Sequence, residues 1–305
     1  KLTFIFTPSL AQSLIHLETL RIEYCRGLKH LIREKDDERE IIPESLRFPK
    51  LKTLSISDCD KLGHVFPVSV SPSLLNPGQI KITFADNLKR TGHELSLLSL
   101  ETLHLDSFPD IKCIWKGLLL SHLTTLVVRK CQRLAHVFTS SMIASLVQLK
   151  VLDISTCEEL EQIIAKDNDD EKLQILSRSD LQSSCFPNLC RLEIERCNKL
   201  KSLFPVAMAS GFPKLQILKV SQCSQLLGVF GQDDHASPFN VEKEVVLPDM
   251  LELLLENLPG IVCFSPGCYD FLFPRLKTLK VYECPKLTTK FSTTINGSMS
   301  AQSEG

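Results

Sequence analysis

One pattern of apolar positions recurs along the chain. An apolar residue is followed by two variable residues, a second apolar residue, one variable residue and a third apolar residue; a Cys comes three positions later and a Leu three positions after that. One complete copy consists of Leu149, Leu152, Ile154, Cys157 and Leu160. Because the apolar residues alternate with a polar one at Asp153, this part of each copy predicts a short strand with one buried face.

Ten copies of the pattern can be aligned. Seven clear ones begin at Leu17, Leu51, Leu123, Leu149, Leu189, Leu215 and Leu276. Two others, beginning at Leu100 and Met250, have a larger apolar residue and then Pro where the clear copies have Cys. A degraded copy begins at Pro77 and continues with Ile80, Ile82, Ala85 and Leu88. A second landmark supports it, because Phe66 precedes Pro77 by the same 11 residues that separate Phe138 from Leu149.

The spacing of the copies predicts the architecture. The short steps of 23 and 26 residues between copies fit the leucine-rich period of about 20–29 residues. A single strand cannot bury its own apolar face, whereas stacked strands form a parallel sheet over one continuous core. The predicted fold is therefore an α/β leucine-rich-repeat solenoid, a horseshoe with a parallel concave sheet. Met142 and Leu146, four residues apart, predict a short helix on the convex side, where Pro and Ser in other copies favour irregular structure.

The boundaries follow from the same alignment. The solenoid is predicted to cover residues 1–291, and the polar stretch 292–305 is predicted to be a disordered tail. Ile5 and Phe6 align with Val137 and Phe138, so the chain is expected to begin partway through a repeat, in the C-terminal part of a longer protein. Three polar insertions, at 33–40, 166–172 and 232–244, are expected to be loops on one face.

Composition excludes several classes of function. The chain has 35 Lys and Arg against 36 Asp and Glu, so it lacks the basic footprint of a nucleic-acid-binding protein. No apolar run approaches the roughly 18 residues of a membrane span, and the first residues lack a signal-peptide pattern. We find no catalytic nucleophile motif and no phosphate-binding loop. The sequence therefore predicts neither an enzyme nor a cofactor.

Cysteine placement indicates core packing. Seven cysteines occupy one position of the repeat: Cys25, Cys59, Cys131, Cys157, Cys197, Cys223 and Cys284. Successive members of such a ladder point the same way, which disfavours disulfides between them, so we expect reduced thiols. Cys185, Cys190 and Cys197 lack the paired spacing of a zinc site, and no metal is predicted.

The exposed strand positions form the candidate functional surface. They combine both signs of charge with few aromatic residues, a composition that favours a protein interface over a small-molecule pocket. The predicted partner-binding residues are His104, Asp106, Arg129, Asp153, Glu193, Glu195, Lys219 and Tyr282.

The units Phe48–Leu54 and Phe273–Leu279 resemble the C-terminal repeats of plant coiled-coil NLR disease-resistance proteins. Three further details agree with this resemblance: Cys-x-x-Leu units closing on Leu203, Phe204 and Pro205; alternating units that end in Ile-x-Cys-Ile/Phe; and acidic insertions before Phe-Pro-x-Leu. The resemblance covers nearly all of residues 2–291.

The resemblance implies a cytoplasmic immune receptor. Its repeat domain would recognise a pathogen effector or a guarded host protein and would hold an upstream nucleotide-binding domain inactive. Two alternatives stay open: the substrate-receptor arm of an F-box ubiquitin ligase, which also uses Cys-type repeats, and a receptor ectodomain, which should instead carry Asn in the Cys position.

Overall fold

The computed structural model describes residues 2–32, 45–62, 94–96, 99–112, 114, 120–143, 145–165, 185–232, 243–267 and 269–303. Its main element is one parallel sheet of nine five-residue strands. In spatial order these strands are β2 (Thr19–Glu23), β5 (Thr53–Ser57), β7 (Thr102–Asp106), β8 (Thr125–Arg129), β10 (Val151–Ser155), β12 (Arg191–Glu195), β14 (Ile217–Ser221), β17 (Glu252–Glu256) and β19 (Thr278–Tyr282). The predicted leucine-rich-repeat fold is confirmed.

The strands are stacked in the register that the repeat alignment requires. Leu152 lies opposite Leu126 on one side and Leu192 on the other, and all three side chains are buried. Asp153, between the two buried residues of β10, lies on the opposite face and is half-buried. The same side of all nine strands therefore contributes to one core, and the other side forms the concave face.

Short strands line the convex side. They are β1 (Phe4–Phe6), β3 (His30–Ile32), β4 (Ser45–Arg47), β6 (Glu94–Ser96), β9 (His136–Thr139), β11 (Gln162–Ala165), β13 (Phe204–Pro205), β15 (Phe230–Gly231), β16 (Lys243–Val246), β18 (Tyr269–Phe273), β20 (Lys290–Thr293) and β21 (Met299–Gln302). Helices are short, as predicted: α1 (Pro8–Ser13), α2 (Ser140–Ile143) and a 3₁₀ helix (Val206–Gly211). Among the described residues no helix is long and apolar enough to span a membrane.

Phenylalanine side chains fill the core beneath these convex strands. From Phe138 to Phe291 the rings form a continuous series with centroids 4.9–6.5 Å apart, which passes through Phe186, Phe204, Phe212, Phe230 and Phe264. Tilted and edge-to-face contacts of this kind add roughly 0.5–1.5 kcal/mol to the area that each ring buries. The ring series therefore links neighbouring repeats on the side opposite the main sheet.

The cysteine ladder follows seven of the nine concave strands, at the point where the chain turns out of the strand. Six of the seven thiols lie 3.3–3.5 Å from the carbonyl oxygen two residues earlier, at the end of the strand, and donate to it. Burial raises the pKa of the Cys59 thiol and therefore favours its protonated, donating form. The ten described cysteines are all free thiols.

The sheet corrects the predicted number of stacked strands. β5 pairs directly with β7 over all five residues, so the degraded copy at Pro77 contributes no strand between them. That segment and most of the three polar insertions lie outside the described residues. Pro77 lacks the backbone donor that Leu supplies elsewhere, and Ala85 replaces the larger Cys. The copy therefore has less to contribute to a neighbouring repeat.

The polar tail was predicted to be disordered, but its described part forms a strand. Residues 294–298 form a turn, and β21 returns antiparallel to β20 and inserts between β20 and β18. Ala301 is buried opposite Phe271 and Phe291, where a small side chain fits between two rings. The Ser300 hydroxyl donates to the carbonyl of Ser292 at 3.1 Å. Backbone pairing on both edges orders a segment whose composition alone is that of a disordered one.

β1 and β3 lie in the same arrangement as the convex strands of a later repeat. β1 pairs with β3 in the same parallel manner in which β9 pairs with β11. Phe6 is buried and contacts the ring of Phe48 at 5.7 Å between centroids.

Candidate protein-binding surface

Three strand positions point toward the concave face, and their side chains form rows that run across the sheet. Neighbouring side chains within a row come from adjacent strands, which are about 4.8 Å apart. The middle row contains Arg21, Ser55, His104, Val127, Asp153, Glu193, Lys219, Leu254 and Lys280. The last row contains Glu23, Ser57, Asp106, Arg129, Ser155, Glu195, Ser221, Glu256 and Tyr282. All eight predicted binding residues lie in these two rows.

One ionic cluster lies where β7, β8 and β10 adjoin. Arg129 Nη2 donates to Asp153 Oδ2 at 2.5 Å, and Lys130 Nζ lies 3.3 Å from Asp106 Oδ1. Ser107 Oγ donates to the same Asp106 oxygen at 2.7 Å. The bond to Asp153 raises the pKa of Arg129. These contacts hold two carboxylates and two cations in fixed positions on the face.

His104 lies beside this cluster in the middle row. Burial lowers its pKa below the ordinary value, and the positive charge of Arg129 lowers it further. The imidazole is therefore neutral near pH 7. Its Nε2 atom is buried and has no hydrogen-bond partner among the described residues. An unsatisfied polar atom of this kind costs free energy, and a side-chain movement that brings it to a partner would recover that cost.

A second ionic cluster adjoins the first. Lys219 Nζ lies 3.7 Å from Glu193 Oε1 and 3.5 Å from Glu252 Oε1, so it bridges two carboxylates. Arg191 Nη2 contacts Glu193 at 2.8 Å. Glu193 is directly opposite Asp153 in the register of β10 and β12. Two like charges in that arrangement repel each other. Arg129 compensates the charge of Asp153, and Arg191 and Lys219 compensate the charge of Glu193.

Two predicted residues stand apart from these clusters. Glu195 lies in the last row, where its Oε1 is 3.5 Å from Nη1 of Arg196. Tyr282 lies on β19, the edge strand, three strands away from β12, and its side chain is exposed. The structure thus brings together six of the eight predicted residues, with Glu195 adjoining them and Tyr282 remote.

Sequence reasoning missed four residues that hold these charges in place: Lys130, Arg191, Arg196 and Glu252. They occupy the first strand position or the position just after the strand. A search of all exposed positions for opposite charges in adjacent copies would have found them.

The ion pairs orient charges and contribute little to stability. Arg129 keeps 45% of its side-chain surface exposed, and Asp153 keeps 18%. Pairs this accessible are worth about 0–1 kcal/mol each, because water and salt screen them. Their main effect is a surface whose charges are already positioned before any partner arrives, which reduces the side-chain entropy lost on binding.

The residue after each concave strand has left-handed backbone geometry. In all nine repeats this residue is not glycine, and its φ lies between 51° and 62°. The N–H of eight of these residues donates to the strand-end carbonyl of the next repeat, as from Thr156 to Glu195 at 2.8 Å. The left-handed turn thus extends the interstrand hydrogen bonding by one residue and places another side chain at the rim of the concave face.

Thr156→Gly should stabilise the protein by up to about 1 kcal/mol. An L-residue in this conformation costs about 1–2 kcal/mol, and the flexibility of glycine in the unfolded chain offsets roughly 0.5–1 kcal/mol of the gain. Urea denaturation measures the difference. Thr156→Ala is the control, since it keeps the strained geometry; a Gly variant less stable than the Ala variant would contradict the explanation.

Other kinds of site have little support among the described residues. No group of three His, Cys, Asp or Glu side chains is placed to hold a metal. A shallow depression on the flank is lined by Lys112, Gln132, Arg133, Glu158 and Glu159, which are all polar. A small-molecule pocket would be mostly apolar and enclosed, so the concave face remains the best candidate surface.

Comparison with known proteins agrees with this geometry. The family model described as "Plant disease resistance protein RPS2-like, leucine-rich repeats" matches residues 79–158 and 159–301. No significant match was found among curated proteins or among solved structures. The two matched segments cover most of the chain and seven of its nine concave strands, all except β2 and β5. The chain belongs to the leucine-rich-repeat family of RPS2-like plant disease resistance proteins.

Proposed function

We propose that this chain is the effector-recognition and autoinhibitory repeat domain of a cytoplasmic plant immune receptor. It binds a pathogen effector or a guarded host protein through its concave face. The observation that carries the proposal is the continuous series of oriented charges from Asp106 and Arg129 through Asp153 and Glu193 to Lys219. The family match favours this function over the F-box repeat arm that Cys-type repeats also allow.

The two ionic clusters suit a protein partner of mixed charge. From β7 to β17 the rows span five steps, roughly 24 Å at the usual strand spacing, which accommodates a small protein patch. Alternating charges with fixed positions select against partners whose charges do not match, because like-charge contacts are costly. His104 and Val127 lie between charged residues and provide a neutral contact within the same patch.

A charge exchange tests the proposal. The double variant Arg129→Asp with Asp153→Arg keeps an ion pair but inverts its direction. The matched control is Arg133→Asp with Asp110→Arg, since this pair also joins adjacent repeats, at 3.3 Å, but lies on the flank. Both double variants should unfold within about 1 kcal/mol of the unaltered protein, because exposed pairs contribute little.

Quantitative co-precipitation from plant tissue, followed by mass spectrometry, then compares the three proteins. We expect a partner that the unaltered domain and the flank exchange retain equally and that the concave exchange loses by at least about tenfold, which corresponds to 1.4 kcal/mol. Identical partner sets for all three proteins would contradict concave-face recognition.

The same variants distinguish recognition from autoinhibition. If the concave face packs against the upstream nucleotide-binding domain, the concave exchange in the full-length receptor causes cell death without an effector and leaves partner binding unchanged. Deletion of residues 167–172, the acidic insertion, would then be the change that loses the partner. Cell-death scoring in leaves, with the flank exchange as control, measures this outcome.

A further inference from the structure

The last concave strand, β19, leaves its core-side residues exposed. In each of the seven strands from β5 to β17 both core-side residues are buried. In β19 the equivalent residues are Leu279, which is only partly buried, and Val281, which is 40% exposed. β17 covers them on one side, and no described strand covers them on the other. The end of the sheet therefore presents the same apolar surface that every inner repeat buries against its neighbour.

The hydrogen-bond pattern is interrupted at the same place. Eight of the nine left-handed residues donate an N–H to the next repeat, the last of them being Asn257, which donates to the Tyr282 carbonyl at 2.9 Å. The ninth is Glu283, with φ 52°. Its N–H donates to no backbone acceptor among the described residues. The N–H of Glu283, which has the same left-handed backbone as the other eight donors, therefore lies beside the exposed residues Leu279 and Val281.

The hairpin after β19 does not fill this edge. β21 inserts between β18 and β20 on the convex side. Ser303 Oγ lies 3.0 Å from Thr289 Oγ1, so the chain has returned to the start of β20. Ile295, at the turn of the hairpin, is fully exposed. Among the described residues no strand pairs with the outer edge of β19, so this edge can accept an additional strand.

Charge indicates which strand would fit. Residues 274–290 contain one carboxylate, Glu283, and five cations: Arg275, Lys277, Lys280, Lys286 and Lys290. Arg275 is paired with Asp249 at 2.9 Å. The preceding stretch, 250–273, has three carboxylates and no cation. Lysines on an open edge oppose pairing with a second copy of the same strand, whereas an acidic strand would be attracted.

We infer that β19 is a docking edge for an acidic extended segment of a partner protein. The segment adds in parallel as a tenth strand, with two apolar side chains, two residues apart, that cover Leu279 and Val281. Its backbone carbonyl accepts the Glu283 N–H, and its carboxylates lie near Lys280 and Lys277. This is strand addition, in which backbone bonds provide affinity and alternate side chains provide specificity. The edge is separate from the ionic clusters of the concave face.

A peptide from the chain itself serves as the probe. The segment 249–258 (DMLELLLENL) carries three carboxylates and has Leu253 and Leu255 at the core-side positions. We expect saturable binding to the full chain by fluorescence anisotropy and slower amide exchange at residues 279–283. Salt should weaken binding, because the charges are exposed. A control peptide with serine in place of both leucines should not bind.

Two variants locate the site. Val281→Lys places a cation where the two leucines of the peptide pack and should weaken binding at least about tenfold, through loss of the apolar contact and the cost of burying an unpaired ammonium there. Val281 is already partly exposed, so the fold should tolerate the change, which circular dichroism checks. Val147→Lys makes the same substitution at an equally exposed valine, just before β10, and should bind the peptide as before.

Three results would overturn the inference. They are the absence of exchange protection at residues 279–283, equal binding by Val281→Lys and the unaltered chain, or sedimentation showing that a second copy already protects this edge without peptide.

Discussion

Leu152→Asp should reduce the free energy of unfolding by at least about 3 kcal/mol, since it places an unpaired charge in a dry core. Leu152 is fully buried between Leu126 and Leu192. A carboxylate there has no cation to pair with, because its neighbours in the stack are leucines. Repeats are stabilised largely by their interfaces with adjacent repeats, and this substitution damages the interfaces on both sides of β10.

Asp153→Ala is the matched control one residue away. The side chain lies on the opposite face and is paired with Arg129, so its loss should cost no more than about 1 kcal/mol. Urea denaturation followed by circular dichroism compares both variants with the unaltered protein. Equal midpoints for the two variants would contradict the assignment of buried and exposed faces in β10.

Phe264→Ala should cost about 3–5 kcal/mol, the usual range for removing a buried aromatic ring. The Phe264 ring contacts those of Phe230, Phe271, Phe273 and Phe291 at 5.0–6.5 Å between centroids. The cavity cannot collapse easily, because these rings come from three different convex strands, β15, β18 and β20. The C-terminal repeats should therefore open before the rest of the solenoid, which hydrogen exchange would detect in β18, β20 and β21.

Val262→Ala provides the comparison, since Val262 lies two residues away and is exposed. It should change stability by less than about 0.5 kcal/mol. If Phe264→Ala accelerated exchange equally along the whole chain, the repeats would be unfolding as one cooperative unit, and the expected local opening would be wrong.

The periodicity predicted most of the fold, because every repeat has to bury one apolar face of its strand against the neighbouring repeats. The alternation around Asp153 identified the strand, and the spacing of its copies identified the solenoid. The prediction that the copy at Pro77 adds a strand to the sheet was wrong. Pattern matching counts positions, whereas a repeat enters the sheet only if its backbone donors and apolar volume match both neighbours. The tail prediction was wrong for a related reason: Ala301 and Ser300 have little apolar surface, and their order comes from pairing with β18 and β20.

For the candidate site, the sequence identified which side chains are exposed but not which of them touch. His104, Asp106, Arg129 and Asp153 were selected as concave residues, yet their clustering depends on the strand register. Lys130 was not among the predicted residues, because it follows the strand. The left-handed backbone at Lys130 brings its side chain to Asp106.

The sequence by itself determined the repeat, its buried face, the cysteine position and the resemblance to plant disease-resistance repeats, because these depend on residue identity at fixed local spacing. Only the tertiary structure decided that nine strands stack, that Arg129 bonds to Asp153, that β21 inserts beside β18 and that no described strand pairs with the outer edge of β19. Each of these depends on which segments become neighbours in space. The neighbours of a segment are determined by the burial and hydrogen bonding of the whole solenoid. The sequence of one repeat does not contain this information.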